Sequence, residues 1–282
     1  MYRRALIAMD LSPATAALAS SLPLLRALGT EEIRLVHVVP YTTAPLADRV
    51  AKAKEKLTAL VSTLELEGFR VDVSVPSGAP RPKLIEEAEK NSVDIIVMGT
   101  RSHNLAREAF IGSVAWDAVG HSRVPVLLKR IRPSDDDGEL EFATRGELQG
   151  ILHPTDFSEV AARAFAHVEA LVSEGLKRVS LLFVSLEGDH SGRQEERAEA
   201  GSRLEGLANR LRERGATEVN TRVVTGTPAE EILAAGNAEP GRLLVVGTHG
   251  RGFLPGIVLG SASREVVRRA SNPVLLVPPE RD

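Results

Sequence analysis

Short apolar runs alternate with longer segments in which apolar residues return every three or four positions, and this alternation persists along the chain. In the first half, the runs Arg4–Met9, Ile33–Val38, Val71–Val75, Asp94–Met98 and Val126–Lys129 predict strands. Helices are predicted over Pro13–Leu28, where Leu18, Leu22 and Leu25 share a face, and over Pro45–Glu67, Pro80–Lys90 and Ser113–His121. Proline near the first turn suits Pro80–Lys90. Pro23 lies inside its helical segment and predicts a kink or break, because it lacks an N–H and crowds the preceding turn. In the second half, strands are predicted at Gly150–His153, Arg178–Val184, Val219–Val223, Leu243–Val246 and Val274–Val277, with helices between them.

The second half repeats the first. Asp10 in IAMDLS and Asp156 in HPTDFS are 146 residues apart, as are Val38 and Val184. Gly99 and Gly247, Gly112 and Gly260, Ser113 and Ser261, and Pro125 and Pro273 are each 148 apart. Spacings that agree at both ends of a unit indicate a duplication. The expected domains are residues 1–131 and 150–282, joined by a linker over 132–149. That linker, RPSDDDGELEFATRGELQ, lacks apolar periodicity. Its Asp135, Asp136, Asp137 and Glu139 do not have calcium-loop spacing, so a solvated turn is the simpler expectation.

Strands alternating with helices require right-handed crossovers and a parallel sheet. The expected fold is therefore α/β: two tandem doubly wound domains, each a five-stranded parallel sheet of order 3-2-1-4-5 flanked by helices. Strands 1 and 4 are then neighbours where the winding reverses, and ligands bind beyond the carboxyl ends of the strands at such a point. The last strands of the two halves, VPVLLK and NPVLLV, are apolar edges. Pairing one with the other would cover both.

Totals narrow the function. The 282 residues suit two domains. Hydrophobic residues at 43% and aromatics at 4% allow a core of small aliphatic side chains. A formal charge of -3 argues against general nucleic-acid binding. The absence of cysteine removes disulfides and thiolate chemistry. The opening apolar run stops at Asp10, too early for a signal peptide, and no run reaches membrane-spanning length. A cytoplasmic location is expected.

The stretch with most chemical content is Leu243–Ser263, LLVVGTHGRGFLPGIVLGSAS. It reads as a buried strand, a glycine-rich loop and a helix beginning at Ser261. Gly247, Gly250, Gly260 and Ser261 form the pattern G-x2-G-x9-G-S. Glycines let main-chain amides approach phosphate oxygens, and a helix N-terminus adds free N–H groups and a partial positive charge. Asp156, after the first strand of the same half, falls at the same switch point.

This pattern resembles the nucleotide-binding motif of the universal stress protein family, in which the loop after the fourth strand wraps the ribose and phosphates of ATP. The resemblance covers nearly the whole chain, as a tandem type. It implies that Asp156 and Val184 lie at the base and ribose end and that Gly247, Gly250, Gly260, Ser261 and Ala262 serve the phosphates. The implied ligand is ATP, with ADP or AMP as alternatives and Mg2+ as an accompanying ion. Bland roles stand beside these: Asp156 and Asp10 suit helix caps, Val184 suits a core, Gly252 and Gly256 suit loop flexibility, and His249 and Arg251 suit a solvated loop as well as phosphate contact.

The corresponding residues of the first half are Asp10, Val38, Gly99, Gly112, Ser113 and Val114. There Ser102 stands in place of Gly250, and Asn104 and Glu108 replace Gly252 and Gly256. An added Cβ and an added anion predict weak or lost nucleotide binding in this copy. His37, His103, His121, His153, His167 and His190 show no metal spacing. No G-x4-G-K-[ST] loop and no paired base and nucleophile are evident, which disfavours a dedicated phosphoryl-transfer enzyme. The leading expectation is an ATP-binding regulatory module of the stress response, acting through a protein partner that the sequence does not identify. A slow ATPase or nucleotide-dependent enzyme, and a nucleotide-free scaffold in which the halves mimic a dimer, are the alternatives, with further homodimerisation left open.

Overall fold

The computed structural model describes residues 1–12, 22–42, 44–102, 109–110, 112–133, 140–142, 148–187, 191–239, 241–250 and 259–280. The predicted helical segment before residue 22, His103, Asn104, Glu108, the acidic run Asp135–Glu139, His190, Arg251, Gly252 and Gly256 lie outside the described residues.

In the first half the parallel strands are β1 (Arg4–Ala8), β2 (Glu32–Val36), β3 (Arg70–Ser74), β4 (Ile95–Ser102) and β6 (Val126–Pro133). Helices α1 (Leu22–Ala27), α2 (Leu46–Leu66), α3 (Pro80–Lys90) and α4 (Ser113–His121) connect them. Pro23 lies in the first described turn of α1. Two short strands, β5 (Ala109–Phe110) and β7 (Leu140–Phe142), pair antiparallel with β4 and β6. β7 falls inside the stretch expected to be a plain linker, so part of that stretch is tied to the sheet.

The second half contains β8 (Gly150–Pro154), α5 (Glu159–Ser173), β9 (Arg178–Ser185), α6 (Ser191–Glu213), β10 (Glu218–Thr225), α7 (Pro228–Ala238), β11 (Arg242–Gly247), α8 (Ser261–Arg269) and β12 (Val274–Val277). Both halves have the strand order 3-2-1-4-5: β3-β2-β1-β4-β6 and β10-β9-β8-β11-β12. The central strands β8, β11 and β12 are buried at every residue, as strands covered on both faces must be. α6 is polar overall, yet Ala200, Leu204, Ala208 and Leu211 form a buried stripe at helical spacing that lays it on β9 and β10.

The two sheets are one. β12 pairs antiparallel with β6, and Leu275 lies opposite Leu127, its own counterpart 148 residues earlier. A residue that pairs with its repeat equivalent marks a local two-fold relation, so each apolar edge is covered by the other. Other bonds cross the same boundary. The Tyr2 hydroxyl is hydrogen-bonded at 2.7 Å to Nδ1 of His167 on α5, the Arg130 guanidinium donates to the Arg268 carbonyl at the end of α8, and the Arg264 guanidinium lies over the Trp116 ring.

Candidate functional site

The site begins at the end of β8. Asp156 accepts a hydrogen bond from the Ser158 amide at 3.0 Å, and Phe157 between them has a φ of 60°, so the chain makes a tight Asx turn in a backbone region costly for a large side chain. Phe157 is held there by stacking on Phe183 at 5.3 Å and beneath the Arg203 guanidinium at 4.0 Å. Ser158, not Asp156, caps α5: its Oγ accepts from the Ala161 amide. The helix-cap role that the sequence left open for Asp156 therefore belongs to its neighbour.

The second component is the turn after β11. The Thr248 amide donates to the Val277 carbonyl at 3.0 Å and the Gly260 amide to the Thr248 carbonyl at 2.8 Å, which closes the base of the glycine loop. The Ser263 hydroxyl donates to the Gly247 carbonyl at 2.8 Å and ties the start of α8 to the end of β11. A Cβ on Gly247 would meet Val160 of α5 at 3.0 Å, and a Cβ on Gly250 would overlap the Asp156 carboxylate. Gly260 is the N-cap of α8, with φ -60° and ψ 155°. The amides of Ser261, Ala262 and Ser263 thus stand at the helix start, where no intrahelical acceptor exists for them.

These components enclose a cavity of about 620 Å3, within the size range of small-molecule sites. Asp156, Val184, Gly247, Gly250, Gly260, Ser261 and Ala262 all line it. Pro154, Thr155, Leu182, Pro228, Ile232, Val246, His249, Leu259, Arg264 and Glu265 also contribute to its wall, and none of the hydrophobic ones was marked by the motif. Leu182 was within reach of sequence reasoning, since it sits two residues before Val184 on the same strand face. Arg264 lies one helical turn beyond Ser261, the spacing that places it on the same side of α8. His249 is 6% exposed, with Nδ1 at 3.0 Å from the Thr248 hydroxyl, so it is a wall residue and not a solvated loop side chain.

Beneath the cavity, His153 of β8 is fully enclosed, with Nδ1 donating to the Val245 carbonyl at 2.8 Å. Burial pushes its pKa down to about 4, partly opposed by that carbonyl and by the Asp156 charge. It is neutral at physiological pH. Among the described residues no group of His, Asp and Glu has the arrangement of a metal site.

The first half keeps some of this framework. Asp10 accepts from the Ser12 amide at 3.0 Å and Leu11 has a φ of 56°, the same turn as at Asp156. Gly112 is again the N-cap, before Ser113 and Val114, but Val38 lies two residues beyond the end of β2, which stops at Val36 short of the expected Val38, whereas Val184 lies within β9. The difference lies at Gly99. β11 ends at Gly247, whereas β4 continues through Gly99 to Ser102, paired with Lys129, Arg130 and Ile131 of β6, and β5 folds back on it. A Cβ on Gly99 would collide with the Ile131 side chain. The residue equivalent to Ser263 is Ala115, which has no hydroxyl to hold the Gly99 carbonyl. Where the second half turns into a glycine loop, the first half prolongs its strand.

The family model described as universal stress protein family matches residues 1–130 and again 148–278. The chain belongs to the universal stress protein family. It is 31% identical over 151 residues to the universal stress protein MJ0577 of Methanocaldococcus jannaschii, covering 45% of this chain and 93% of that one. A universal stress protein of Mycolicibacterium smegmatis is 29% identical over 223 residues, covering 76% of this chain and 71% of the relative. The crystal structure of a universal stress protein from Archaeoglobus fulgidus superposes with a TM-score of 0.77 at 25% identity, covering 99% of both chains. This universal stress protein therefore carries the family fold twice, and among its described residues no helix is long and apolar enough to cross a membrane.

Proposed function

We propose that this universal stress protein is an ATP-binding regulatory module that holds one adenine nucleotide in its second half. The observation that carries the reading is the convergence of Asp156 and Val184 with Gly247, Gly250, Gly260, Ser261 and Ala262 on one cavity that includes the amino end of α8. Free amides and the helix dipole there suit phosphate oxygens, with ADP or AMP as alternative occupants and Mg2+ as a companion ion. Leu182, Val184, Ile232 and Val246 supply an apolar wall suited to a base. The prolonged β4 supports a first-half copy that binds nucleotide weakly or not at all, through Asp10, Val38, Gly99, Gly112, Ser113 and Val114. Residues 1–131 and 150–282 act as two domains, paired within one chain as two subunits of a dimer would be. The protein functions in the cytoplasm through conformation and a protein partner, without fast catalytic turnover.

The test is mass analysis of the small molecules released when the purified protein is denatured. Adenine nucleotide near one equivalent per chain is expected. A protein that carries none and gives no heat with added ATP, ADP or AMP would leave the scaffold reading in its place.

A further inference from the structure

Arg264 is the one arginine lining the cavity among the described residues, and the G-x2-G-x9-G-S motif does not include it. It is exposed, in the first turn of α8, and its guanidinium carbon lies 5.2 Å over the ring of Trp116. Trp116 belongs to α4 of the first half and occupies the repeat position of Arg264 itself, 148 residues earlier. The two amino-terminal helix turns thus face each other across the two-fold relation that pairs Leu127 with Leu275. β5, the returning strand of the altered first loop, also packs against α8.

A guanidinium over an aromatic ring is held by the ring quadrupole while its N–H groups can still serve oxygen acceptors, and that contact restricts a long side chain before any ligand arrives. The neighbouring Glu265 is paired with Arg268 at 2.8 Å. The cavity already contains the Asp156 carboxylate, so amides and a helix end face one anion before any phosphate enters. A polyphosphate adds several negative charges to that balance, a monophosphate fewer. A positioned cation therefore matters more for the former.

We propose that Arg264, braced by Trp116 of the first half, is the residue that makes the second-half cavity prefer nucleoside di- and triphosphates over monophosphates. The inference rests on the nucleotide-binding reading above. It gives the first half a task in the second half's site: loss of its own phosphate loop coincides with supply of the indole that holds the selective cation.

The experiment compares ATP, ADP and AMP binding by calorimetry for the full chain and for Arg264→Gln, Arg264→Lys, Trp116→Ala, Trp116→Phe and Arg251→Gln. Thermal melts accompany each, to confirm folding. Arg264→Gln should weaken ATP and ADP by about tenfold or more while AMP changes by less than about threefold, the size expected for losing one charge-assisted hydrogen bond. Trp116→Ala should show the same pattern more weakly and Trp116→Phe should restore it. Arg264→Lys should recover part of it, because charge remains and planar stacking does not. Trp116 is the sole tryptophan, so its emission should respond to ATP in the native chain and not in Arg264→Gln. Tight ATP binding with an ATP-to-AMP ratio unchanged in Arg264→Gln and Trp116→Ala would overturn the proposal. So would a ratio that collapses in Arg251→Gln and persists in Arg264→Gln. A native chain that binds no adenine nucleotide would remove the underlying reading, and this inference with it.

Discussion

The carboxylate of Asp156 occupies the space that a side chain on residue 250 would need: a Cβ on Gly250 would overlap Oδ2. Two residues from opposite ends of the half, one after its first strand and one after its fourth, are thereby locked in register. The other carboxylate oxygen is engaged with the Ser158 amide, so Asp156 cannot swing aside without giving up its turn. Gly250→Ala should cost about 1–3 kcal/mol of stability, the range for overpacking. Asp156→Ala in the same chain should relieve most of that overlap, so the double variant should lose less stability than the sum of the two single losses. Urea unfolding of both single variants and the double variant measures it. Strictly additive losses would mean that the contact does not constrain the loop.

Ser263 is 7% exposed, and its hydroxyl is the link between α8 and the Gly247 carbonyl. Ser263→Ala leaves that carbonyl without its side-chain donor, at an expected cost of about 1–3 kcal/mol. Because the bond also fixes where the helix amino end points, ATP affinity should fall in parallel. Denaturant midpoints and calorimetry read the two effects separately.

Acid should destabilise the fold through two histidines. Burial lowers His153 to about 4, and burial together with the Arg163 charge lowers His167 to about 4, against an ordinary value of 6.5. Between those values the unfolded chain binds more protons than the folded one, so stability rises with pH. The contribution is complete above about pH 6.5, declines as pH falls from there, and is exhausted near pH 4. Each histidine accounts for roughly 3 kcal/mol over that window. His167 is bonded to Tyr2 of the other half, so its protonation should loosen the contact between halves. His167→Gln should show a shallower fall in urea midpoint between pH 7 and 5 than the native chain. Parallel slopes would contradict the assignment.

Much of this was legible in the residues. The apolar runs and the repeat spacing foretold the strand order of both halves, because a central strand buried on both faces must be apolar throughout and a duplicated unit must fold the same way twice. G-x2-G-x9-G-S foretold where the second half turns, since glycine alone fits against Asp156 and Val160. Other features lay outside any local pattern. Asp156 suits a cap by residue type, and only the bond from the Ala161 amide to Ser158 Oγ shows that its neighbour takes that role. The prolonged β4 is seen only in its register with Lys129–Ile131, contacts distant in sequence. Arg264 reads as an ordinary surface arginine until the pairing of Leu127 with Leu275 brings Trp116 beneath it.

Calorimetric titration of nucleotide-free protein with ATP, repeated on Gly250→Val, tests the central claim most directly. The account predicts about one site per chain in the native protein and none of comparable affinity in the variant. Two equal tight sites, or a single site untouched by the valine, would contradict it.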